Sequence, residues 1–450
     1  MKNKTFHMIS LGCAKNTVDS ASMAQILSAS GYLHTDQPSQ ARILIVNTCG
    51  FIGPAREESY EVLQELATSK RPGQILIAAG CLTQRYGMEV VRKVQGIDGI
   101  LGTRRWMDIL DVVDTLRQGK LPAPLYHLPD VATVGKDEHG VLRAGIQGKS
   151  AFIKIADGCR RPCAFCAIPL IKGPAVSRPI EVIIDEARTL SDLGMHELNL
   201  IAQDTTDYGY DLGMKDGLAK LLEKLTQAVP NVEWLRIMYA YPGYITDRLI
   251  EVMSSHSQVL PYLDIPLQHA HPDTLRRMKR PANMEWVYRT LEKMRLAMPG
   301  LSLRTTFIVG YPGETEEEFQ TLLDFVEEIR FDRVGTFQFS FEPGTASEPL
   351  GDPVPAEVKE ERYDRLMTLQ QRISLERNQM FVGKILDVLF EGQGDGISMG
   401  RSYRDAPEID GLVIVEGNSP QGELLPVRIT GAMAYDLSGV LAVQPKLREI

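Results

Sequence analysis

The feature that most constrains this chain is a regular alternation of short apolar runs and helical stretches between residues 151 and 338. The strand-like runs begin near Ala151, Glu197, Trp234, Tyr262, Leu301 and Arg333. The helical stretches between them are Ile180 to Leu193, Leu218 to Ala228, Asp247 to Ser255, Met284 to Met298 and Glu316 to Ile329. Strands that alternate with helices form parallel sheets. Six such units without a seventh and an eighth predict an α/β domain built as a partial (β/α)6 barrel of the TIM type, with function at the carboxyl ends of its strands.

Three cysteines lie in one short loop just past the first of these strands. The loop is Gly158-Cys159-Arg160-Arg161-Pro162-Cys163-Ala164-Phe165-Cys166. A structural zinc site needs four protein ligands, and no fourth cysteine or nearby histidine follows, whereas a [4Fe-4S] cluster held by three thiolates keeps one iron open. The spacing therefore favours an iron-sulfur cluster, with a zinc knuckle or a chance grouping as the alternative.

Three further cysteines each follow an apolar run in an N-terminal region, residues 4–125. They are Cys13, Cys49 and Cys81, separated by 36 and 32 residues. Each separation is about one βαβ unit, so the thiols are expected to meet at the carboxyl edge of one parallel sheet, where such folds bind ligands. A small buried residue at a strand end is the alternative for any one of them. Because all three share one structural position, we favour a second three-thiolate cluster.

The rest of the chain divides into a connecting segment and a C-terminal module. Residues 126–148 contain Pro, Gly and charged residues with little periodicity, which predicts a linker or a hairpin between the N-terminal domain and a central domain, residues 149–379. The central domain ends in a long charged helix, Ala356 to Met380. Residues 380–448 alternate apolar runs with Gly-rich turns, which indicates a small antiparallel β-barrel.

Composition limits the cellular setting and the partners. Six cysteines in 450 residues are too few for a disulfide scaffold and indicate reduced, metal-binding thiols. There is no run of 18 or more apolar residues and no secretory pattern at the start, so we expect a cytoplasmic protein without membrane contact. The net charge of −9 repels phosphate backbones and attracts basic partners.

The CxxxCxxC loop resembles the signature of the radical S-adenosylmethionine (SAM) enzymes. The resemblance implies that the amino and carboxylate groups of SAM bind the open iron, and that reduction of the sulfonium releases a 5′-deoxyadenosyl radical. A three-cysteine N-terminal domain before such a barrel is similar to the methylthiotransferases, whose second cluster handles the inserted sulfur. The resemblance thus implies SAM and two [4Fe-4S] clusters, one on Cys13, Cys49 and Cys81 and one on Cys159, Cys163 and Cys166.

Polar residues at or near the strand ends are the candidates for binding SAM. Gln203 and Asp204 end one apolar run, and Gln268 and His269 end another. Arg304 lies in a run that leads to a glycine-bearing turn, and its guanidinium suits the SAM carboxylate. An ordinary hydrogen bond at the barrel rim is the alternative for each, and we give His269 no catalytic role.

Several segments narrow the resemblance to one branch of the methylthiotransferases. They are Ile155–Cys159, Ile201–Thr205, Pro261–Ala270, Met278–Pro281 and Gly400–Gly411. This branch adds a methylthio group to the β-carbon of an aspartate in ribosomal protein S twelve. The implied partners are that protein, free or in the small subunit, an electron donor such as flavodoxin, and a sulfur source. The alternatives are the sister enzyme that modifies isopentenyl-adenosine in tRNA, and a non-catalytic iron-sulfur protein that binds RNA.

The charge of the C-terminal module discriminates between these partners. The module is similar to a TRAM domain, which often binds RNA, but residues 380–450 hold six Lys and Arg against ten Asp and Glu, a net charge of −4. Affinity for nucleic acid depends on neutralising phosphates. The sequence therefore favours a basic ribosomal protein over tRNA, because complementary charge steers the encounter.

Overall fold

The computed structural model describes residues 4–119, 124–135 and 139–442. The predicted limit of the C-terminal module at residue 448 therefore extends over six residues, 443–448, that lie outside the described part. Residues 136–138 of the predicted linker also lie outside it. Among the described residues, no helix combines the length and the apolar character needed to cross a membrane.

The N-terminal domain is a parallel α/β sheet. Its strands are β1 (Thr5–Ser10), β2 (Leu33–His34), β3 (Ile43–Thr48), β4 (Ile75–Gly80), β5 (Gly99–Gly102) and β6 (Leu125–His127). Its helices are α1 (Ala14–Ala29), α2 (Gly53–Ser69), α3 (Cys81–Tyr86), α4 (Met88–Lys93) and α5 (Ile109–Gln118). The order is β2-β1-β3-β4-β5-β6 with every pair parallel, which confirms the predicted sheet.

The central domain is the predicted partial barrel. Its strands are β7 (Ala144–Gln147), β8 (Ser150–Lys154), β9 (Ala156–Asp157), β10 (Val176–Ser177), β11 (Glu197–Ile201), β12 (Trp234–Ile237), β13 (Val259–Asp264), β14 (Ser302–Val309) and β15 (Arg333–Gln338). Its helices are α6 (Ile168–Lys172), α7 (Ile180–Asp192), α8 (Gly217–Ala228), α9 (Asp247–Ser255), α10 (Pro272–Arg277), α11 (Met284–Ala297), α12 (Glu316–Ile329) and α13 (Ala356–Gln379). The sheet order is β15-β14-β13-β12-β11-β8-β7, and β9 pairs separately with β10.

Strand β7 lies at the end of the segment for which the sequence predicts a linker or a hairpin, and it forms a hairpin with β8. It pairs antiparallel with β8, whereas the other neighbours in the sheet are parallel. At the other end of the predicted linker, β6 pairs with β5 of the N-terminal sheet. Both strands are short and partly exposed, so neither produces the apolar run that marks a strand in the sequence.

The C-terminal module is a closed five-stranded barrel within the described residues. Its strands are β16 (Ile385–Gly394), β17 (Ile397–Ser402), β18 (Val413–Glu416), β19 (Leu424–Ala432) and β20 (Leu437–Leu441), in the order β16-β17-β18-β20-β19. The predicted small barrel is confirmed with one difference: β18 and β20 are parallel, while the other pairs are antiparallel.

The partial barrel buries its two faces against different partners. Outward-facing residues such as Leu198, Leu200 and Leu235 pack with the surrounding helices. The inward-facing residues Phe152 and Tyr262 pack instead with one cluster from outside the barrel, which is Ala14 and Val18 of α1 with Leu389 and Ala406 of the C-terminal module. Successive side chains of a strand point to opposite faces, so the outward-facing set packs on the helices and the inward-facing set packs on the two flanking domains.

A buried carboxylate joins the C-terminal module to the barrel. Glu197 is fully buried and accepts hydrogen bonds from Arg236 (2.7 Å) and from Arg401 of β17 (2.6 Å). Burial opposes its ionisation, but the two guanidiniums, Arg401 first, outweigh burial and lower its pKa to about 2. Its ionic contribution to stability is therefore complete above pH 4.5, the ordinary pKa, and is lost as the pH falls towards 2.

We expect Glu197→Ala to lower the free energy of unfolding at neutral pH by about 3 to 5 kcal/mol, because it leaves two buried guanidiniums without their shared partner. Urea unfolding of the full chain followed by tryptophan fluorescence measures the change. Glu181→Ala is the matched control, since the exposed Glu181 pairs with Lys224 at 3.6 Å and should contribute less than about 1 kcal/mol. Equal losses in the two variants would contradict the argument.

Candidate active site

The cysteines of the central domain line one cavity at the carboxyl end of the barrel. Cys159, Cys163 and Cys166 border a cavity of about 410 Å³ together with Gly344 and Thr345. Gly158 begins the loop at φ 76°, and a Cβ there would lie 2.2 Å from the carbonyl oxygen of Pro174, so this position requires glycine. Burial raises the pKa of Cys159 to about 11 and raises that of Cys166 further. The three thiols converge as their spacing predicts.

The N-terminal cysteines converge at the carboxyl edge of their own sheet. Cys13 precedes α1, Cys49 follows β3 and Cys81 begins α3. A Cβ on Gly12 would lie 2.8 Å from Cβ of Cys49, and one on Gly50 would lie 3.0 Å from the carbonyl carbon of Cys81. Burial raises the pKa of Cys49 to about 11 and that of Cys81 to about 12. Cys13 adds to both shifts, and Cys49 adds to that of Cys81.

The two triplets lie on either side of one short segment. Cys81 is buried against Ala167 and Ile171, and Ala167 directly follows Cys166. Helix α6 therefore begins two residues after Cys166 and packs on Cys81, so it contacts the regions of both triplets. The arrangement brings two sets of sulfur donors to one boundary between domains.

The donor chemistry of both triplets fits an iron-sulfur cluster. All six cysteines of the chain belong to one triplet or the other, and each triplet offers three soft sulfur ligands without a fourth. The glycines beside Cys13, Cys49 and Cys159 let the backbone approach where a side chain would clash. These features suit a bulky inorganic group better than a tetrahedral zinc ion.

Two of the predicted SAM contacts carry unsatisfied acceptors. The side-chain oxygens Oε1 of Gln203 and Gln268 are buried and have no hydrogen-bond partner among the described residues. Gln268 also has a φ of 75°, a strained value for a residue with a side chain. Buried acceptors without donors are costly, so both amides fit a ligand that donates N–H or O–H groups.

The other predicted SAM contacts already have protein partners. Asp204 accepts a hydrogen bond from Nε of Arg161 at 2.6 Å, and burial raises its pKa despite that contact. Arg304 lies near the start of β14, not at its carboxyl end, and its guanidinium contacts Asp264 at 2.9 Å and Asp410 at 3.3 Å. Two carboxylates balance its charge, which argues against Arg304 as the fork for the SAM carboxylate.

His269 is a packed residue at the end of its strand-like run. Its side chain and that of Glu314 are fully buried, and its Nε2 lies 3.0 Å from Glu314. Its Nδ1 accepts a hydrogen bond from the backbone of His271. These contacts stabilise the turn after β14, because Glu314 also accepts from the backbone of Gly310 and from Arg362.

A cationic and aromatic group that the sequence pattern does not predict surrounds the central triplet. Arg280 donates from Nη1 to Sγ of Cys163 at 3.4 Å and stacks over Tyr241 at 4.2 Å. Arg161 stacks over Tyr244 at 3.6 Å. Hydrogen bonds to cluster sulfurs and nearby positive charge favour bound anionic groups and raise cluster potentials. The two adjacent arginines inside the cysteine loop indicate this positive charge in the sequence. Nothing in the sequence indicates that Arg280 lies beside the cysteines.

The sequence pattern does not predict a role for Lys15 either, although it stands two residues after Cys13. It is 9 % exposed, and its Nζ lies 3.1 Å from the centre of the Tyr239 ring. Burial lowers its pKa to about 8, while Cys13 and Asp264 act in the opposite direction. The lysine therefore lies between the N-terminal triplet and the barrel.

Comparison with known families divides the chain in the same way. Residues 153–326 match the Radical SAM superfamily, residues 5–102 match the uncharacterized protein family UPF0004, and residues 382–442 match the TRAM domain. A ribosomal protein uS12 methylthiotransferase RimO from Roseiflexus sp. (strain RS-1) is 46 % identical, covering 98 % of each chain. The RimO of Chloroflexus aurantiacus is 48 % identical over 96 % of this chain and 99 % of its own. This chain belongs to the RimO family. It is a radical SAM methylthiotransferase.

Membership of the RimO family indicates part of the cofactor set. A radical SAM domain works with a [4Fe-4S] cluster and SAM, and the UPF0004 match is consistent with a second cluster. A solved structure of the radical SAM methyltransferase TsrM from Kitasatospora setae has a TM-score of 0.57 at 13 % identity, covering 88 % of this chain and 77 % of that chain. At that identity the likeness shows the fold alone.

We expect the thiols of the iron-free chain to react with maleimide in a fixed order, Cys13 well before Cys81. The thiolate is the nucleophile, and Cys13 is exposed, while burial and a pKa of about 12 suppress the thiolate of Cys81. Brief labelling at pH 7.5 with peptide mass mapping should find Cys81 at least about tenfold slower. Chain labelled after iron and sulfide loading is the control. Equal rates at the two cysteines without iron would contradict the structure.

Proposed function

We propose that the chain methylthiolates the β-carbon of an aspartyl residue in ribosomal protein uS12. The observation that carries this proposal is the near-complete coverage, 96–98 % of this chain, by relatives named as uS12 methylthiotransferases. The convergence of all six cysteines into two triplets supports the chemistry that the proposal requires. In this proposal residues 4–125 form the domain of the second cluster, residues 149–379 form the radical SAM domain and residues 380–448 form the TRAM-like domain. Residues 126–148 connect the first two domains.

In this proposal Cys159, Cys163 and Cys166 hold the cluster that binds SAM, and Cys13, Cys49 and Cys81 hold the second cluster. When bound, these groups would remove the β-hydrogen, which leaves as part of 5′-deoxyadenosine. They would also deliver a sulfur that receives its methyl group from a second SAM. The protein contributes orientation and exclusion of water. Gln203 and Gln268 would accept hydrogen bonds from SAM through their free Oε1 atoms. Helix α1 and the C-terminal module cover the inner face of the barrel and keep water from the reacting carbon.

The surface of the C-terminal module favours a basic protein over tRNA. Arg401 and Arg404 are buried in contacts with Glu197 and Asp332, which leaves Lys384 and Arg428 as the exposed cations of the module within the described residues. Six exposed carboxylates oppose them, on Asp387, Glu391, Asp395, Glu408, Glu416 and Glu423. An acidic barrel cannot neutralise phosphates but attracts a basic ribosomal protein. The electron donor, the sulfur source and the cytoplasmic location stay predictions.

The experiment that tests this function offers the reduced, cluster-loaded enzyme two substrates, uS12 and tRNA with isopentenyl-adenosine. We expect uS12 to gain the mass of one methylthio group on an aspartate, located by peptide mass spectrometry, and the tRNA to remain unmodified. The reason is that an acidic surface steers the basic protein and repels the nucleic acid. Modification of the tRNA alone would establish the sister activity. A chain that releases no 5′-deoxyadenosine with either substrate would be a non-catalytic iron-sulfur protein.

The same assay should distinguish the roles of the two triplets. We expect Cys159→Ala to abolish 5′-deoxyadenosine release, because it removes a ligand from the SAM-binding cluster. Cys13→Ala should preserve that release and abolish the methylthio product, because it removes a ligand from the second cluster. Liquid chromatography of 5′-deoxyadenosine and mass analysis of uS12 measure the two steps. Equal loss of SAM cleavage in both variants would refute the proposed division between the triplets.

A further inference from the structure

Lys15 is a buried cation without an anionic partner. Within the described part of the chain four lysines are buried: Lys15, Lys154, Lys172 and Lys359. The last three each contact at least one aspartate. No hydrogen bond or ion pair with any described residue reaches Nζ of Lys15, which contacts the ring of Tyr239 instead. Burying an ammonium without a carboxylate is costly, so the site fits an anion that comes from outside the chain.

The nearest acid on the barrel wall is not available to Lys15. Asp264 accepts from Arg304 at 2.9 Å through Oδ1 and from the backbone N–H of Tyr239 at 3.2 Å through Oδ2. Arg161 of the cysteine loop is likewise paired, with Asp204, whereas the buried Arg280 donates to Sγ of Cys163 and to the carbonyl oxygen of Pro266. Lys15 is thus the one buried lysine among the described residues without a carboxylate partner, and its ammonium lies against the ring of Tyr239.

Lys15 lies close to segments that carry both triplets. It follows Cys13 by two residues, so it borders the N-terminal triplet. Tyr239, which it covers, is two residues from Tyr241, whose hydroxyl oxygen lies 3.8 Å from Sγ of Cys163. Lys15 therefore borders the N-terminal triplet and contacts a segment, residues 239–241, that also reaches the central triplet.

We propose that Lys15 binds the side-chain carboxylate of the aspartyl residue that is modified, and that it determines the specificity for an acidic side chain. The inference rests on the proposed function and deepens it. An ion pair to the carboxylate fixes the adjacent β-carbon one bond away, within reach of both triplets. An asparagine at the same place would leave the ammonium without a charged partner, and the site would discriminate against it.

The test measures binding of uS12 and of its Asp→Asn variant at the modified position, with the cluster-loaded full chain and SAM present. We expect wild-type enzyme to bind the aspartate form at least about tenfold more tightly than the asparagine form. In Lys15→Met the two dissociation constants should become nearly equal, because the thioether packs on Tyr239 but carries no charge. Lys15→Gln should behave likewise, and Lys15→Arg should restore part of the ratio. Lys220→Met, at an exposed position on α8, is the control and should keep the wild-type ratio.

The outcomes separate this inference from the function on which it rests. Iron and sulfide content, circular dichroism and 5′-deoxyadenosine release establish that each variant is folded and loaded. A Lys15→Met or Lys15→Gln enzyme that keeps the wild-type preference for aspartate would overturn the inference, even if its turnover fell, since the lysine would then serve the second cluster. Wild-type enzyme that neither binds nor modifies uS12 would overturn the proposed function, and the role of Lys15 with it.

Discussion

The relative placement of the two triplets depends on one buried ionic network. Asp19 of α1 and Asp157 of β9 each contact Lys154, Lys172 and Arg143. These residues come from both sides of the boundary between the N-terminal and central domains. Burial opposes ionisation of Asp157, but Lys154 and Lys172 outweigh it and lower its pKa. A buried network of this kind holds only when every member is paired, so it fixes α1 against the barrel in one register.

The network also sets the charge around the candidate clusters. Burial raises the pKa of Cys81, and within the network Lys172 lowers it while Asp19 raises it. At the central triplet Arg280 donates from Nη1 to Sγ of Cys163 at 3.4 Å. Thiolate-bound clusters are anionic, so each triplet lies in a field that favours the loaded state. Domain packing and cofactor binding therefore depend on the same residues.

The sequence predicts features whose parts are adjacent in the chain. An apolar run, a glycine and a thiol occur together at Cys49 and Cys81, so both the strand ends and the candidate ligands are visible locally. Arg304 shows the limit: its residue type suits an anion, but its partners Asp264 and Asp410 come from distant segments and occupy it. Arg280 reaches Cys163 across 117 residues, and Lys15 is distinctive only because nothing pairs with it in three dimensions. Pairing and its absence are tertiary properties that periodicity does not encode.

Attraction of the substrate and selection of its reacting side chain require opposite charges. In the proposed function the acidic module attracts a basic protein, but the same field repels the aspartyl carboxylate that must reach the two triplets. A cation inside is needed to reverse the field over the last few ångströms, and the paired arginines and lysines cannot do so because their charges are already balanced. Lys15 alone among the four described buried lysines retains an unbalanced charge, and it stands where α1 meets the barrel. Long-range steering and short-range selection thus fall to different residues, and this separation lets an acidic enzyme act on an acidic side chain.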